Sequence, residues 1–238
     1  MRVIVDKLEQ VAVSSASGVC FVSSRPADAL PVPFVAAPRL DELTAQALAD
    51  VLPLLSCGEE AATIAFHRLA DQAGSDIEIT MALRRIEMEE RVHESLLQQL
   101  TVMLPPSNDA AELRRAARRF HIRLAAHGPA LHLARIAAID AAACTVLSRM
   151  ITSRAALSHD EVIVQLFQRI RHDEARHVSV ARTLVRALGT SDRMHHAAAA
   201  ARLSLADLLR LRGAAFERLR IDPDALIRRV ARLPNGLL

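Results

Sequence analysis

HDEARH, residues 172–177, stands inside VIVQLFQRIRHDEARHVSVARTLVRAL (162–188), a stretch with the period of one long amphipathic helix. With Glu174 set as angular zero and a step of about 100° per residue, Ile170, Phe167, Ile163 and Val185 fall within about 40° of it, and His177 lies about 60° to one side. Glu174 and His177 therefore point into the apolar stripe. At spacing i, i+3 a carboxylate and an imidazole share one face and can grip a single ion.

IEMEERVHESLL (86–97) repeats the anomaly: Glu90 is surrounded by Ile79, Leu83, Ile86 and Leu97, and His93 follows three residues on. Two other long helical stretches each carry an acid with apolar neighbours at −7, −4 and +7. Asp140 has Leu133, Ile136 and Leu147; Glu59 has Leu52, Leu55 and Phe66. Glu60 is the alternative to Glu59, but it turns about 100° toward Arg68 and Asp71, the polar side. A lone buried His is usually a satisfied core residue, and a lone Glu-x-x-His is common on charged helices. Four acids and two His at matched stripe positions differ in kind, because that many uncompensated buried carboxylates would cost many kcal/mol. Bound cations remove the penalty. The donor set suits Fe(II) or Mn(II), whereas structural zinc more often recruits thiolates.

The helix boundaries are marked by local signals. SCGE (56–59), SDIE (75–78) and SHDE (158–161) each have Ser followed three residues later by Glu, the capping-box pattern. They predict helices near 75–103 and 158–188, ended by Pro105-Pro106 and Gly189. The SCGE box conflicts with Glu59 facing the core, so the first helix is read as covering 41–73 with a kink or break at Pro53. Further helices are expected at 109–126, 129–153, from 191 to about 218, and after Asp222-Pro223. The result is an all-α chain: an irregular lead-in at 1–39, a helical core at 40–190 and a basic helical extension at 191–238.

The order acid, Glu-x-x-His, acid, Glu-x-x-His resembles the ferritin-like di-iron carboxylate proteins, in which two helices give a Glu each and two give a Glu-x-x-His. DEARH is similar to the DE-x-RH form of the bacterial multicomponent monooxygenases, and EERVH is a looser version; the resemblance covers about residues 52–188. It implies a ferritin-like four-helix bundle with an extra N-terminal segment and C-terminal helices, two Fe ions or a Mn/Fe pair, and O2 as co-substrate. The implied ligands are Glu59, Glu90, His93, Asp140, Glu174 and His177, with Asp140 departing from the family's usual Glu. Glu89 and Asp173 are placed to reach the His of the opposite helix, with Arg176 neutralising one of them. Thr63 and Cys144, one turn past Glu59 and Asp140, are expected to border the cavity and are the candidate catalytic residues for steering protons or O2 intermediates. The activity implied is hydroxylation, N-oxygenation or desaturation of a small organic or carrier-bound substrate. Nothing in the chain reads as a flavin or nicotinamide site, so an external ferredoxin or reductase is expected to supply electrons.

Composition narrows these readings. The chain has no Tyr and no Trp, which argues against a radical-storing reductase subunit, and it lacks a Cys-rich rubredoxin module. At 238 residues and 51% hydrophobic it can bury a core, and with 3% aromatics that core must be mostly aliphatic. Lys7 is the only lysine, and a net charge of +3 is too small to argue for a nucleic-acid partner. Cys20, Cys57 and Cys144 form no CxxC and cannot all pair, which suggests a reducing compartment. The apolar run before Asp6 is short for a signal segment, and no unbroken apolar run approaches a membrane span, so a cytoplasmic chain, as a monomer or homodimer, is expected. The basic 191–238 region is expected to dock an acidic donor, an acyl carrier protein or, as a resemblance to tRNA-hydroxylating members of that family implies, tRNA. Two rival classes remain: ferroxidase, iron storage or peroxide scavenging, and a metal-free helical scaffold. His67, His121, His127, His132, His195 and His196 have no matched partners and are read as surface or edge residues, with His132 the nearest to a pocket-lining position.

Overall fold

The computed structural model describes residues 36–234, so the lead-in at 1–35, including Cys20, lies outside the described residues. Residues 36–40 form no regular element. Beyond them the described chain is all-helical, without strands: α1 (Glu42–Gln72), α2 (Ile77–Val102), α3 (Ala110–Leu124), α4 (Pro129–Met150), a 3₁₀ turn (Ala156–His159), α5 (Glu161–Ala187), α6 (Asp192–Arg210), α7 (Gly213–Arg218) and α8 (Pro223–Ala231).

Aspartates, not the expected serines, start the two helices that carry Glu-x-x-His. Asp76 Oδ1 accepts from the Ile79 N–H at 3.1 Å, and Asp160 Oδ1 from the Ile163 N–H at 2.9 Å. A carboxylate at a helix N-terminus makes a charge-assisted bond and meets the positive end of the helix dipole, so it displaces the neighbouring serine. Ser158 instead closes the 3₁₀ turn by donating to the Ala155 carbonyl at 2.7 Å. SCGE caps nothing: α1 runs unbroken from its Asp41 cap, through Pro53, to Gln72. Proline removes one ladder bond, but Leu52, Pro53 and Leu54 are all buried and packing holds the helix through that point. Asp222 and Pro223 open α8 as read, with Asp222 Oδ1 accepting from the Ala225 N–H at 2.9 Å. The single helix expected from 191 to 218 is split at Leu211–Arg212, which carries Phe216 of α7 into full burial. Gly128 (φ 96°, ψ 166°) separates α3 from α4 in a conformation essentially reserved for glycine.

The helices pair as α1 with α2 and α4 with α5, and α2 meets α5. The core is divided into two apolar clusters, and the division sets the direction of each helix. Leu48, Leu52 and Cys57 of α1, Leu96, Leu97 and Leu100 of α2, Val146 and Leu147 of α4, and Ile163, Phe167 and Ile170 of α5 belong to the first. Phe66 and Leu69 of α1, Leu83 and Ile86 of α2, Leu133 and Ile136 of α4, and Ala181 and Val185 of α5 belong to the second. Thus α1 and α5 run one way and α2 and α4 the other. Because α2 and α4 are parallel, the chain must travel back between them, and α3 makes that crossover, packed chiefly on α1. The C-terminal helices are part of the same core: α6 lies along α4, and Phe216, Leu226, Ile227 and Val230 of α7 and α8 join the first cluster.

Among the described helices only α4 is long and apolar enough to cross a membrane, and most of it is buried against its neighbours. Counting unbroken apolar runs missed it because Arg135 and Asp140 interrupt the stretch.

The second oxygen of Asp160 accepts from the Arg39 N–H at 2.5 Å, so one buried carboxylate starts α5 and ties down the entry to α1. Asp160→Ala is expected to lower stability by about 1–3 kcal/mol in urea unfolding, while Ser158→Ala costs less than about 1 kcal/mol. Equal costs for the two would return the capping role to the serine.

Candidate metal centre

Between the two apolar clusters the four paired helices each contribute acids or His at one level. Glu59 (α1), Glu90 and His93 (α2), Asp140 (α4), and Glu174 and His177 (α5) are all buried, with Glu90, His93 and His177 at 0% exposure. The stripe neighbours that mark these positions in the sequence are buried too, among them Leu83, Ile86, Leu133, Ile136, Phe167 and Ile170. The i, i+3 spacing sets each His beside its own Glu, and the antiparallel meeting of α2 with α5 brings the two Glu-x-x-His pairs face to face. The imidazole centroids are 6.0 Å apart.

The inner nitrogens show what the layer is built around. His93 Nδ1 lies 3.2 Å from Glu59 Oε2, 3.5 Å from Glu90 Oε2 and 3.9 Å from Glu174 Oε1. His177 Nδ1 lies 3.0 Å from Glu90 Oε1 and 3.8 Å from Glu174 Oε2. Glu90 and Glu174 each offer one oxygen toward one His and the other oxygen toward the second. Both oxygens of Glu90, Glu174 Oε2, Asp140 Oδ2 and His177 Nδ1 are buried without a hydrogen-bond partner among the described residues. Buried lone pairs converging on one space are what a cation site requires. Glu59, Glu90, His93 and Glu174 form a buried group whose donor atoms lie within 4.8 Å of one another and can hold a metal ion.

The outer nitrogens are anchored crosswise. His93 Nε2 faces Asp173 Oδ2 of α5 at 3.1 Å, and His177 Nε2 faces Glu89 Oε2 of α2 at 3.0 Å. With the outer nitrogen donating to a carboxylate, Nδ1 of each ring faces inward, where it could bind a cation. Arg176 joins both acids: it contacts Glu89, sits 3.3 Å from Asp173 Oδ1, and so bridges the two anchors instead of neutralising one. Hydrogen bonding from His93, then Arg176, holds Asp173 at about 2 against the effect of burial. At Glu89 burial acts upward, but the bonds from His177, Arg176 and Arg85 outweigh it and hold the acid at about 2.

The inner acids show the reverse. Burial, then the charge of Glu90, pushes Glu59 up to about 8; burial, then Glu174 and Glu90, pushes Asp140 well above the carboxylate range; burial raises Glu174 as well. Burial acts downward on both imidazoles, but the surrounding acids outweigh it: Asp173, Glu59 and Glu90 raise His93 to about 12, and Glu174, Glu89 and Glu90 raise His177 to about 12. Without a cation, the layer neutralises itself with protons. A metal must displace them, so its affinity falls as pH falls.

The remaining expected residues do not join the converging groups. Thr63 is buried and its Oγ1 has no partner among the described residues. Cys144 is half-buried, donates to the Arg171 carbonyl at 3.7 Å, and is pushed up to about 12 by burial, then by Glu174 and Asp140, so it remains a thiol. Glu60 is half-buried and faces Arg118 at 3.5 Å, away from the centre. His132 is half-buried and burial lowers it to about 4; it is not among the converging groups. Three features were not anticipated. Phe66 walls His177, with centroids 6.2 Å apart; Arg85 supports Glu89 at 3.2 Å; and Glu87 is buried in a network with His67, Arg84 and Arg91. The i, i+4 spacing of Arg85–Glu89 and Glu87–Arg91 carried the last two signals.

No family model, curated protein or solved structure matches this chain. The chemistry of the centre follows from its own geometry.

Saturating Mn(II) or Fe(II) under argon is expected to raise the melting temperature of the wild-type chain, by about 2.7 kcal/mol of stabilisation at a hundredfold excess over Kd. Scanning calorimetry should show that rise shrinking from pH 8 to pH 6 and absent in Glu90→Ala. A metal-induced rise of the same size in the variant would remove Glu90 from the ligand set.

Proposed function

We propose that this chain is a ferritin-like, dinuclear non-haem iron protein that activates O2 to oxidise a small organic or carrier-bound substrate. The observation that carries the reading is the double reach of Glu90 and Glu174, each with one oxygen toward His93 Nδ1 and one toward His177 Nδ1. Two ions, one held beside each His, would satisfy all of these atoms. The fold supports it: two antiparallel helix pairs joined by a single long crossover is the connectivity of ferritin-like bundles.

When bound, two iron ions supply open coordination positions and the electrons for O2 activation. The chain's own residues do the rest. Glu89, Asp173 and Arg176 hold both imidazoles in the inward-facing tautomer. The two apolar clusters exclude water on either side, so an oxidising species is kept from solvent. Thr63 Oγ1, one turn past Glu59, is a buried hydroxyl with no partner among the described residues, and would be free to hold or pass on a proton. Cys144, with its S–H turned to a carbonyl, borders the layer as a neutral thiol.

Hydroxylation balances as substrate C–H plus O2 plus two protons and two electrons giving C–OH and water, so an external reductant is needed. A groove of about 500 Å³ lined by Thr145 of α4 and by Arg228, Arg229 and Arg232 at the end of α8 offers a basic surface for an acidic ferredoxin or carrier.

Purified protein is expected to carry about two irons per chain, falling to one or none in Glu174→Ala. The reduced wild type is expected to consume O2. Unchanged metal content in Glu174→Ala would refute the ligand assignment. Sustained Fe(II) oxidation by a 24-subunit particle would favour iron storage over oxygenation.

A further inference from the structure

The two halves of the layer are not equivalent, and the difference lies in one methylene group. Glu59 and Asp140 occupy corresponding positions, each with apolar neighbours at −7, −4 and +7 on a helix that precedes a Glu-x-x-His. Glu59 reaches its imidazole, with Oε2 at 3.2 Å from His93 Nδ1. Asp140 does not: among the described residues its carboxylate makes no hydrogen bond or ion pair, no nitrogen of His177 lies within 4.0 Å of its oxygens, and Oδ2 is buried without a partner. Its backbone has no slack to close the gap, because Leu133, Ile136, Ala137 and Leu147 of α4 are all buried in the packed clusters.

We infer that the two metal positions fill in order, the Glu59–His93 half first, and that the ion on the Asp140–His177 half is the weaker, exchangeable one. This rests on the dinuclear reading above. Glu59, Glu90, His93 and Glu174 already present four donor atoms within 4.8 Å, so the first ion is met by a formed cage. The second ion finds His177 and the far oxygens of Glu90 and Glu174, and the Asp140 arm must move to complete its set. It also shares two carboxylates already partly neutralised by the first cation. At limiting metal the chain therefore carries one ion, on the α1–α2 side. The second position keeps the emptier coordination sphere, which makes it the side on which an exogenous ligand enters.

The test is a titration of metal-free protein with Mn(II), reading free Mn(II) by its electron paramagnetic resonance signal, without any turnover. The wild type is expected to take up one equivalent tightly and a second at an affinity on the order of tenfold or more weaker. Glu59→Ala should lose the tight phase. Asp140→Ala should keep it and lose the weak one, and Asp140→Glu should bring the second affinity toward the first. Circular dichroism of each variant confirms that it is folded. Two equivalents of equal affinity, or a tight phase lost in Asp140→Ala and kept in Glu59→Ala, would overturn the order of filling while leaving the dinuclear reading in place. No uptake by the wild type would overturn both.

Discussion

A layer of four buried carboxylates through an otherwise aliphatic core is the constraint on which the rest of the molecule depends. Glu59, Glu90, Asp140 and Glu174 come from four helices and lie buried between two apolar clusters. Desolvated like charges at this separation repel strongly, and removing one neutralising partner from such a set costs several kcal/mol. The chain answers with two imidazoles placed among the acids, and anchors each imidazole to a second carboxylate on the opposite helix. Those outer acids are in turn bridged by Arg176. Alternating sign from the centre outward lets a concentrated charge sit inside a packed bundle.

The fold serves that layer. Running α1 and α5 in one direction and α2 and α4 in the other puts the acids of all four helices at the same height. The α3 crossover allows it by returning the chain to the end at which α2 began. Caps on Asp41, Asp76 and Asp160 fix where three of these helices start, and hence the register of Glu59, Glu90 and Glu174 relative to one another. Packing α6 to α8 against the same core adds Phe216, Leu226 and Val230 to one end, so the level of the layer is held by contacts well away from it.

Much of this could be read in the sequence, for a simple reason: helical periodicity reports direction. The neighbours at −7, −4 and +7 identify which acids face inward, and each acid so identified is buried, whereas Glu60, turned by about 100°, is half-exposed and paired with Arg118. Direction does not report reach. Nothing in the spacing distinguishes Glu59, which touches His93, from Asp140, which stops short of His177. Nor could it tell that Arg176 spans both outer acids, since that is a matter of rotamer. The caps differ from the sequence reading because SDIE and SHDE each hold a serine and an aspartate able to cap a helix one or two residues apart, and pattern alone does not weigh a carboxylate against a hydroxyl. The break at Leu211–Arg212 is set by tertiary burial of Phe216 and has no local marker such as proline.

The claim that this layer exists to hold cations is tested most directly by diffraction at the metal absorption edge from crystals grown with saturating Fe(II) or Mn(II). The account predicts two anomalous peaks between the Nδ1 atoms of His93 and His177, about 3.5–4 Å apart and both within bonding distance of Glu90 and Glu174. A map with no peak in that layer, with the six side chains unmoved, would contradict it.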